Sequence, residues 1–319
     1  MTAVVVLGAS EGDAPPGLDL AAGFVDLRFA PDAPAATAAI PDAEVAFAWD
    51  ERLLEPAWDA ARVLRWVQSP RTGVDGILFP AFAASDVVLT NARGVYDAAT
   101  AEWAIGAILA MAKDIPANER NRATRTWAPR EVELVAGRHL LVVGIGPIGR
   151  AVARAARALG MEVRGVGRRA RPGDPVFGYV LGVDELPDGL AWADVVVDAL
   201  PATRATAGIF DAAAFAAMRA GSRFVNVGRG STVVEDALVD AVRSGHLAGA
   251  ALDVFEREPL PSASALWDLD RVLISPHAGA MVGGWREAVV EVFLENLDRF
   301  LRGAPLRNVV DKAAGFVVG

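Results

Sequence analysis

The 319-residue chain contains no cysteine, which excludes disulfides, thiolate nucleophiles and thiolate metal centres. Histidine is nearly as scarce. His139, His246 and His277 stand far apart without ligand-type spacing, so no metal centre is expected. Lysine is limited to Lys113 and Lys312. Arginine supplies the rest of the 31 cations, which face 40 carboxylates for a net charge of −9. So acidic a balance lacks the basic footprint that nucleic acid requires, and no nucleic-acid partner is expected. Long apolar runs are missing too. Residues 1–12 have no basic lead-in and do not read as a signal peptide. The apolar stretch around 101–112 is too short to cross a bilayer and contains Glu102. The expectation is a cytoplasmic protein with no membrane partner. What the chain does have is apolar mass, 53% against 22% charged residues. That is a globular profile, long enough for about two domains at about 150 residues each.

Short Val-rich runs alternate with Ala-rich amphipathic segments. The runs lie at 4–7, 44–47, 64–67, 87–90, 140–145, 163–166, 195–200, 224–227, 249–254 and 272–274. Strand–helix alternation predicts an α/β fold with parallel sheets, and unbroken apolar strands fit sheets covered on both faces. Residues 97–114 read as a long helix, apolar enough to be buried. The polar stretch at 118–130, with Arg120, Arg122, Arg125 and Arg130, reads as a solvated helix end and loop.

Gly144-Ile145-Gly146-Pro147-Ile148-Gly149 follows the apolar run ending at Val143 and opens a helical pattern closed by Gly160. This is G-x-G-x-x-G between a strand and a helix, the context that makes it a dinucleotide loop. Gly144 serves the tight turn, Gly146 the close approach of a pyrophosphate, and Gly149 the packing of helix on strand. Pro147 forfeits an N–H that the first helical turn does not use. The next strand ends in Val166-Gly167-Arg168-Arg169, with Arg171 close behind. A carboxylate at that turn holds the ribose of NAD, whereas arginine accommodates the phosphate of NADP. No Asp or Glu stands there, and Asp174 comes too late. NADP(H) is therefore favoured, with NAD(H) as the alternative.

Three later strand ends carry chemistry. Arg229 follows Phe224-Val225-Asn226-Val227-Gly228. Glu256 and Glu258 follow Leu252-Asp253-Val254-Phe255. His277 follows Ile274-Ser275-Pro276. In open parallel sheets, ligands bind at the carboxyl ends of the strands, where the dinucleotide loop also lies.

The order of these motifs resembles the D-2-hydroxyacid dehydrogenase family. Its landmarks are the glycine loop, Pro201-Ala202-Thr203, Asn-Val-Gly-Arg-Gly at 226–230, Leu-Asp-Val-Phe-x-x-Glu-Pro-Leu at 252–260 and Pro-His-x-Gly at 276–279. Gly73-Val74-Asp75, Thr100-Ala101-Glu102 and Pro305-Leu306-Arg307-Asn308-Val309-Val310 match its remaining signatures, so the likeness covers nearly the whole chain. It implies two Rossmann-like lobes. A cofactor lobe at 94–286 is inserted into a discontinuous substrate lobe at 1–93 and 287–319. It also implies a homodimer formed through the cofactor lobe, for which 97–130 is the candidate contact.

The resemblance assigns roles as well. Arg229 would bind the substrate carboxylate with its planar fork and polarise the keto oxygen. His277 would be the acid–base residue, and Glu258, selected over Glu256 by the family pattern, would orient its ring. Cofactor contacts would come from Gly144, Gly146, Pro147, Ile148, Gly149, Arg168, Arg169, Leu200, Pro201, Thr206, Val227, Asp253 and Gly279. Thr72, Gly73 and Val74 would offer main-chain N–H groups to the substrate. Trp49, Phe79, Tyr96, Met281 and Trp285 are candidate pocket walls, while His139 and His246 read as structural. The implied activity is hydride transfer between NAD(P)H and a small 2-keto acid such as glyoxylate or hydroxypyruvate, giving a D-2-hydroxy acid. A formate-type dehydrogenase would pair its histidine with glutamine, and Glu258 argues against it. A nucleotide-sensing protein without turnover would not need Arg229, Glu258 and His277 together.

Overall fold

Val4, Val5 and Val6 are wholly buried in the first strand, β1 (Ala3–Leu7), although alternate residues of a strand point to opposite faces. Both faces of its sheet are therefore covered, as the unbroken apolar run required. The computed structural model describes residues 1–318. The chain divides into two compact units: Met1–Tyr96 with the chain from Val282 onward, and Asp97–Met281.

The first unit is built on a parallel sheet of β1, β2 (Asp26–Ala30), β3 (Val45–Phe47), β4 (Trp66–Gln68) and β5 (Val88–Thr90), in the order β2-β1-β3-β4-β5. β2 escaped the sequence reading because it is an edge strand whose side chains are mostly half exposed. The C-terminal helix Trp285–Leu301 returns to this sheet, where Phe293 stacks on Phe47 and Trp66. Val95, Tyr96 and Trp285 join the same apolar cluster. Contacts within each unit place the borders after Tyr96 and before Val282.

The second unit holds β6 (His139–Val143), β7 (Glu162–Val166), β8 (Arg171–Asp174), β9 (Gly178–Leu181), β10 (Val195–Asp198), β11 (Arg223–Asn226), β12 (Gly249–Leu252) and β13 (Val272–Ile274). Their order is β13-β12-β11-β10-β6-β7-β9-β8. The chain moves outward in one direction from β6 and in the other from β10. The switch point, where such sheets bind ligands, lies between these two strands.

One expectation needs correction: the sheet is parallel except for the antiparallel edge pair β8–β9. Asp174 makes that hairpin. It is buried, takes a two-pronged ion pair from Arg150 at 2.9 and 2.7 Å, and accepts N–H bonds from Val176 and Phe177. Arg171 also pairs with it, at 3.1 Å. The Arg150 guanidinium holds the Asp174 carboxyl far below the usual carboxylate range.

Helix Asp97–Ala112 buries Ala101, Ala104, Ala107 and Ile108 in the same cluster as Val152, Ala153 and Ala156 of helix Pro147–Ala158. Helix Ile115–Ala123 and the loop to Arg130 are largely exposed, as their charge implied. No helix of the described residues is long and apolar enough to cross a membrane.

Candidate active site

Each glycine of the dinucleotide loop has its own steric reason. Gly144 has φ +106°, and a Cβ there would stand 2.6 Å from the carbonyl oxygen of Ala199. A Cβ on Gly149 would stand 1.9 Å from the oxygen of Gly144, so the helix could not lie on its strand. Around Gly146 there is nothing within 4 Å. Gly146 caps helix Pro147–Ala158 without a side-chain bond, and the N–H groups of Ile148 and Gly149 meet no acceptor among the described residues. Open space, free N–H groups and the positive end of a 12-residue helix suit a pyrophosphate.

At the end of β7, Arg168 and Arg169 are exposed, with no carboxylate in the Gly167–Arg169 turn. Arg171 and Asp174 are committed to the edge hairpin instead. On the far side of the switch point, Leu200 N–H donates to Asp198 at 2.9 Å. The Thr206 hydroxyl donates to the Pro201 carbonyl at 2.7 Å and accepts from Thr203 N–H at 2.9 Å, so it organises the 201–206 turn. Val227 has its side chain in the core and donates its N–H to the Asp198 carbonyl at 3.0 Å.

Arg229, Glu258 and His277 follow the ends of β11, β12 and β13, three neighbours in the sheet. The arginine turn is pressed between adjacent strand ends. A Cβ on Gly228 would stand 2.6 Å from the oxygen of Leu200, and one on Gly230 would stand 1.8 Å from the carbonyl carbon of Phe255. Only glycine fits on either side of Arg229, whose Nη1 donates to the Gly228 carbonyl at 2.8 Å.

His277 Nδ1 lies 2.8 Å from Glu258 Oε2, and Glu258 Oε1 accepts the Phe255 N–H at 3.1 Å. The carboxylate is thus anchored at one oxygen while orienting the imidazole with the other. His277 Nε2 has no partner among the described residues. Glu256 is engaged elsewhere, in a reciprocal pair in which each of Glu235 and Glu256 accepts the other's N–H.

The backbone of His277 has φ +52°, a left-handed conformation that side chains other than glycine adopt rarely. Asp253 holds it there. Its Oδ1 accepts from Ser275 Oγ at 2.6 Å and from the N–H groups of Ala278 and Gly279 at 3.0 Å each. A Cβ on Gly279 would stand 2.9 Å from both Asp253 Oδ2 and Trp103. Asp253, the residue expected to border the cofactor, also braces the histidine loop through Ser275, which sequence reasoning missed. Ser275 lies one residue from the Pro-His motif, but its partner is 22 positions away.

The other histidines are structural. His139 stacks on Trp192 at 4.3 Å, and His246 Nε2 lies 3.0 Å from the carbonyls of both Phe215 and Met218.

In the first unit, three consecutive carbonyls are tied down: Pro70 by the Tyr96 hydroxyl, Arg71 by Ala92 N–H and Thr72 by the Asn91 amide. The N–H groups of Thr72, Gly73 and Val74 meet no acceptor among the described residues. Of the candidate pocket walls in this unit, Trp49 stacks on Trp285 at 5.8 Å, and Tyr96 lies 6.4 Å from Trp285. Phe79 belongs to a separate cluster with Trp58 and Phe82, because its neighbours are core residues of another layer. Met281, in the second unit, is exposed.

Residues 105–279 match the model of the D-isomer specific 2-hydroxyacid dehydrogenase NAD binding domain. The glyoxylate reductase of Thermococcus onnurineus (strain NA1) is 33% identical over 264 residues, covering 79% of this chain and 78% of that protein. A D-isomer specific 2-hydroxyacid dehydrogenase family protein from Aeromonas salmonicida superposes with a TM-score of 0.86 at 33% identity, over 98% of this chain and 100% of that one. The NADPH-dependent glyoxylate/hydroxypyruvate reductase of Sinorhizobium meliloti, solved in complex with NADP and sulfate, gives 0.84 at 29% identity, over 99% of this chain and 100% of that one. The chain belongs to the D-isomer specific 2-hydroxyacid dehydrogenase family.

Proposed function

We propose that the protein is an NADPH-preferring reductase of small 2-keto acids, giving D-2-hydroxy acids. One observation carries this reading. An imidazole whose Nδ1 is held by Glu258 keeps Nε2 unpartnered, at the carboxyl end of the sheet where the dinucleotide loop also lies. Bound NADPH would supply the hydride. His277 Nε2 gives the proton to the substrate's keto oxygen during reduction and takes it back during oxidation. Glu258 keeps the other ring nitrogen protonated throughout, which fixes the tautomer. Arg229 pairs with the substrate carboxylate and stabilises charge on the keto oxygen. Thr72, Gly73 and Val74 of the first unit offer main-chain N–H donors for a substrate carboxylate.

In this reading the second unit, Asp97–Met281, binds the cofactor, and the first binds the substrate. Gly144, Gly146, Pro147, Ile148 and Gly149 cradle the pyrophosphate. Arg168 and Arg169 hold the phosphate on the adenosine ribose, where a carboxylate would repel it. The NADP in the Sinorhizobium relative supports that preference. Leu200, Pro201, Thr206, Val227, Asp253 and Gly279 border the nicotinamide. The protein acts in the cytoplasm, where reduced pyridine nucleotides are made. It does so as a homodimer formed through the second unit, in which Trp127, 95% exposed, is covered by a second copy.

The test is the loss of nicotinamide absorbance with a panel of 2-keto acids that includes glyoxylate and hydroxypyruvate. Turnover with NADPH faster than with NADH is the expected result. If no panel member oxidises either nucleotide, the catalytic reading falls and a nucleotide-binding role replaces it.

A further inference from the structure

Asp198 closes β10 with its carboxyl wholly buried, and among the described residues no charged side chain pairs with it. Its Oδ1 accepts Leu200 N–H at 2.9 Å, and its Oδ2 touches the hydroxyl of Thr232, which is equally buried. The same hydroxyl oxygen lies 2.6 Å from the Arg229 carbonyl. These two short contacts set a proton-counting problem. A hydroxyl has one proton, and a carbonyl can only accept. If Asp198 were ionised, Thr232 could donate to one neighbour only, leaving two oxygens facing each other without a proton in a dry site. Both contacts are hydrogen bonds only when the proton between Asp198 and Thr232 belongs to Asp198.

The rest of the network is complete and neutral. Asn226, the β11 residue in register with Asp198, donates its amide to the Arg229 carbonyl at 3.0 Å and accepts Gly228 N–H at 2.9 Å. On the other side the register partner is apolar Val143 of β6. The one charged residue whose main chain joins the network is Arg229, whose guanidinium turns to the Gly228 carbonyl.

We propose that Asp198 is a positioning residue held as a neutral carboxylic acid, donating to Thr232, which donates in turn to the Arg229 carbonyl and so fixes the arginine turn. The inference rests on the role given to Arg229 above. Burial independently favours the neutral form and pushes the carboxyl up to about 7, the Thr232 and Leu200 bonds pulling the other way. The relay joins the turn after β10 to the turn after β11, so one buried proton sets the position of Leu200 and Arg229 together.

The experiment compares Asp198→Asn, Asp198→Ala and Thr232→Val in the full chain, with folding checked by circular dichroism. The amide of asparagine donates to Thr232 and accepts from Leu200 as the neutral acid does. Asp198→Asn should therefore keep the keto-acid KM within about twofold of wild type, whereas the other two raise it about tenfold or more with a smaller change in kcat, as displaced positioning groups do. Independently of turnover, the infrared difference between wild type and Asp198→Asn should show the carbonyl stretch of a protonated acid at about pH 6 that fades by about pH 9. An Asp198→Asn enzyme as damaged as Asp198→Ala, or no acid band at the lower pH, overturns the proposal. Should an alanine variant fail to fold, Thr232→Val and the infrared band still decide it. A wild type that shows the band but reduces no 2-keto acid would count against the proposed function instead.

Discussion

Glu258 Oε2 lies 2.8 Å from His277 Nδ1, and both partners are side chains about two-fifths exposed, at 36% and 40%. The bond spans 19 residues and joins the ends of β12 and β13. Because the other carboxylate oxygen is tied to Phe255 N–H, the pair orients the ring from a fixed point. A carboxylate in this position both selects the tautomer and balances the charge of the imidazolium that forms when the reaction runs toward oxidation.

Glu258→Gln should leave the fold and the cofactor KM intact while lowering kcat by about 10- to 100-fold. His277→Asn should lower kcat more, by about 10²–10⁴-fold, the usual range for losing a general acid–base. Steady-state kinetics on both variants checks the order. A glutamine variant at full activity would separate Glu258 from the chemistry, whereas losses as large as those of His277→Asn would show the pair acting as one unit.

The turn after β7 should decide the nucleotide. Removing the guanidinium groups with Arg168→Ala plus Arg169→Ala should raise the NADPH KM by about tenfold or more while changing the NADH KM little, since only the former has a phosphate to lose. Gly167→Asp adds the carboxylate that favours NADH. Its Cβ would stand 2.8 Å from Ile145 Cδ1, which must turn aside, so the arginine pair is the cleaner probe. An unchanged ratio of the two specificity constants would show that these arginines do not touch the cofactor.

Asp198 should also leave a mark on stability. Its carboxyl titrates near 4 in an unfolded chain and near 7 in the folded one. Between those values the folded protein binds more protons than the unfolded chain, so this group's contribution to stability is present below about pH 4 and is lost as pH rises toward 7. Asp198→Asn cannot titrate. Its stability relative to wild type should therefore improve by a few kcal/mol across that window, at about 1.4 kcal/mol per pKa unit. Urea unfolding at a series of pH values measures this, and a difference independent of pH would mean an unperturbed carboxyl.

Trp127→Glu should shift the protein toward monomer in analytical ultracentrifugation with its far-UV dichroism unchanged, because a charge would then stand where a second copy buries an indole. A wild type that sediments as a monomer, or a variant that still dimerises, would free the exposed arm from that role.

Much of the candidate site was legible in the chain because it is encoded by residue type beside a strand end. The glycines at 144, 146 and 149 are forced by distances of a few ångströms to the chain around them, and Arg229, Glu258 and His277 are the residue types that the chemistry demands. Apolar runs marked the inner strands, since those are buried on both faces. They missed β2, β8 and β9, which lie at or near sheet edges and are partly exposed.

The linear order of residues thus determined the α/β character, the glycine loop and the three candidate polar side chains at strand ends, since each depends on local pattern or on intrinsic chemistry. That Asp174 takes Arg150 and Arg171 into the edge hairpin, that Asp253 grips the histidine loop, and that Asp198 meets Thr232 were all decided by folding. Those outcomes depend on which buried donor finds which acceptor across tens of residues. Only the assembled sheet, by bringing the strand ends side by side and excluding water, makes one pairing better than its rivals.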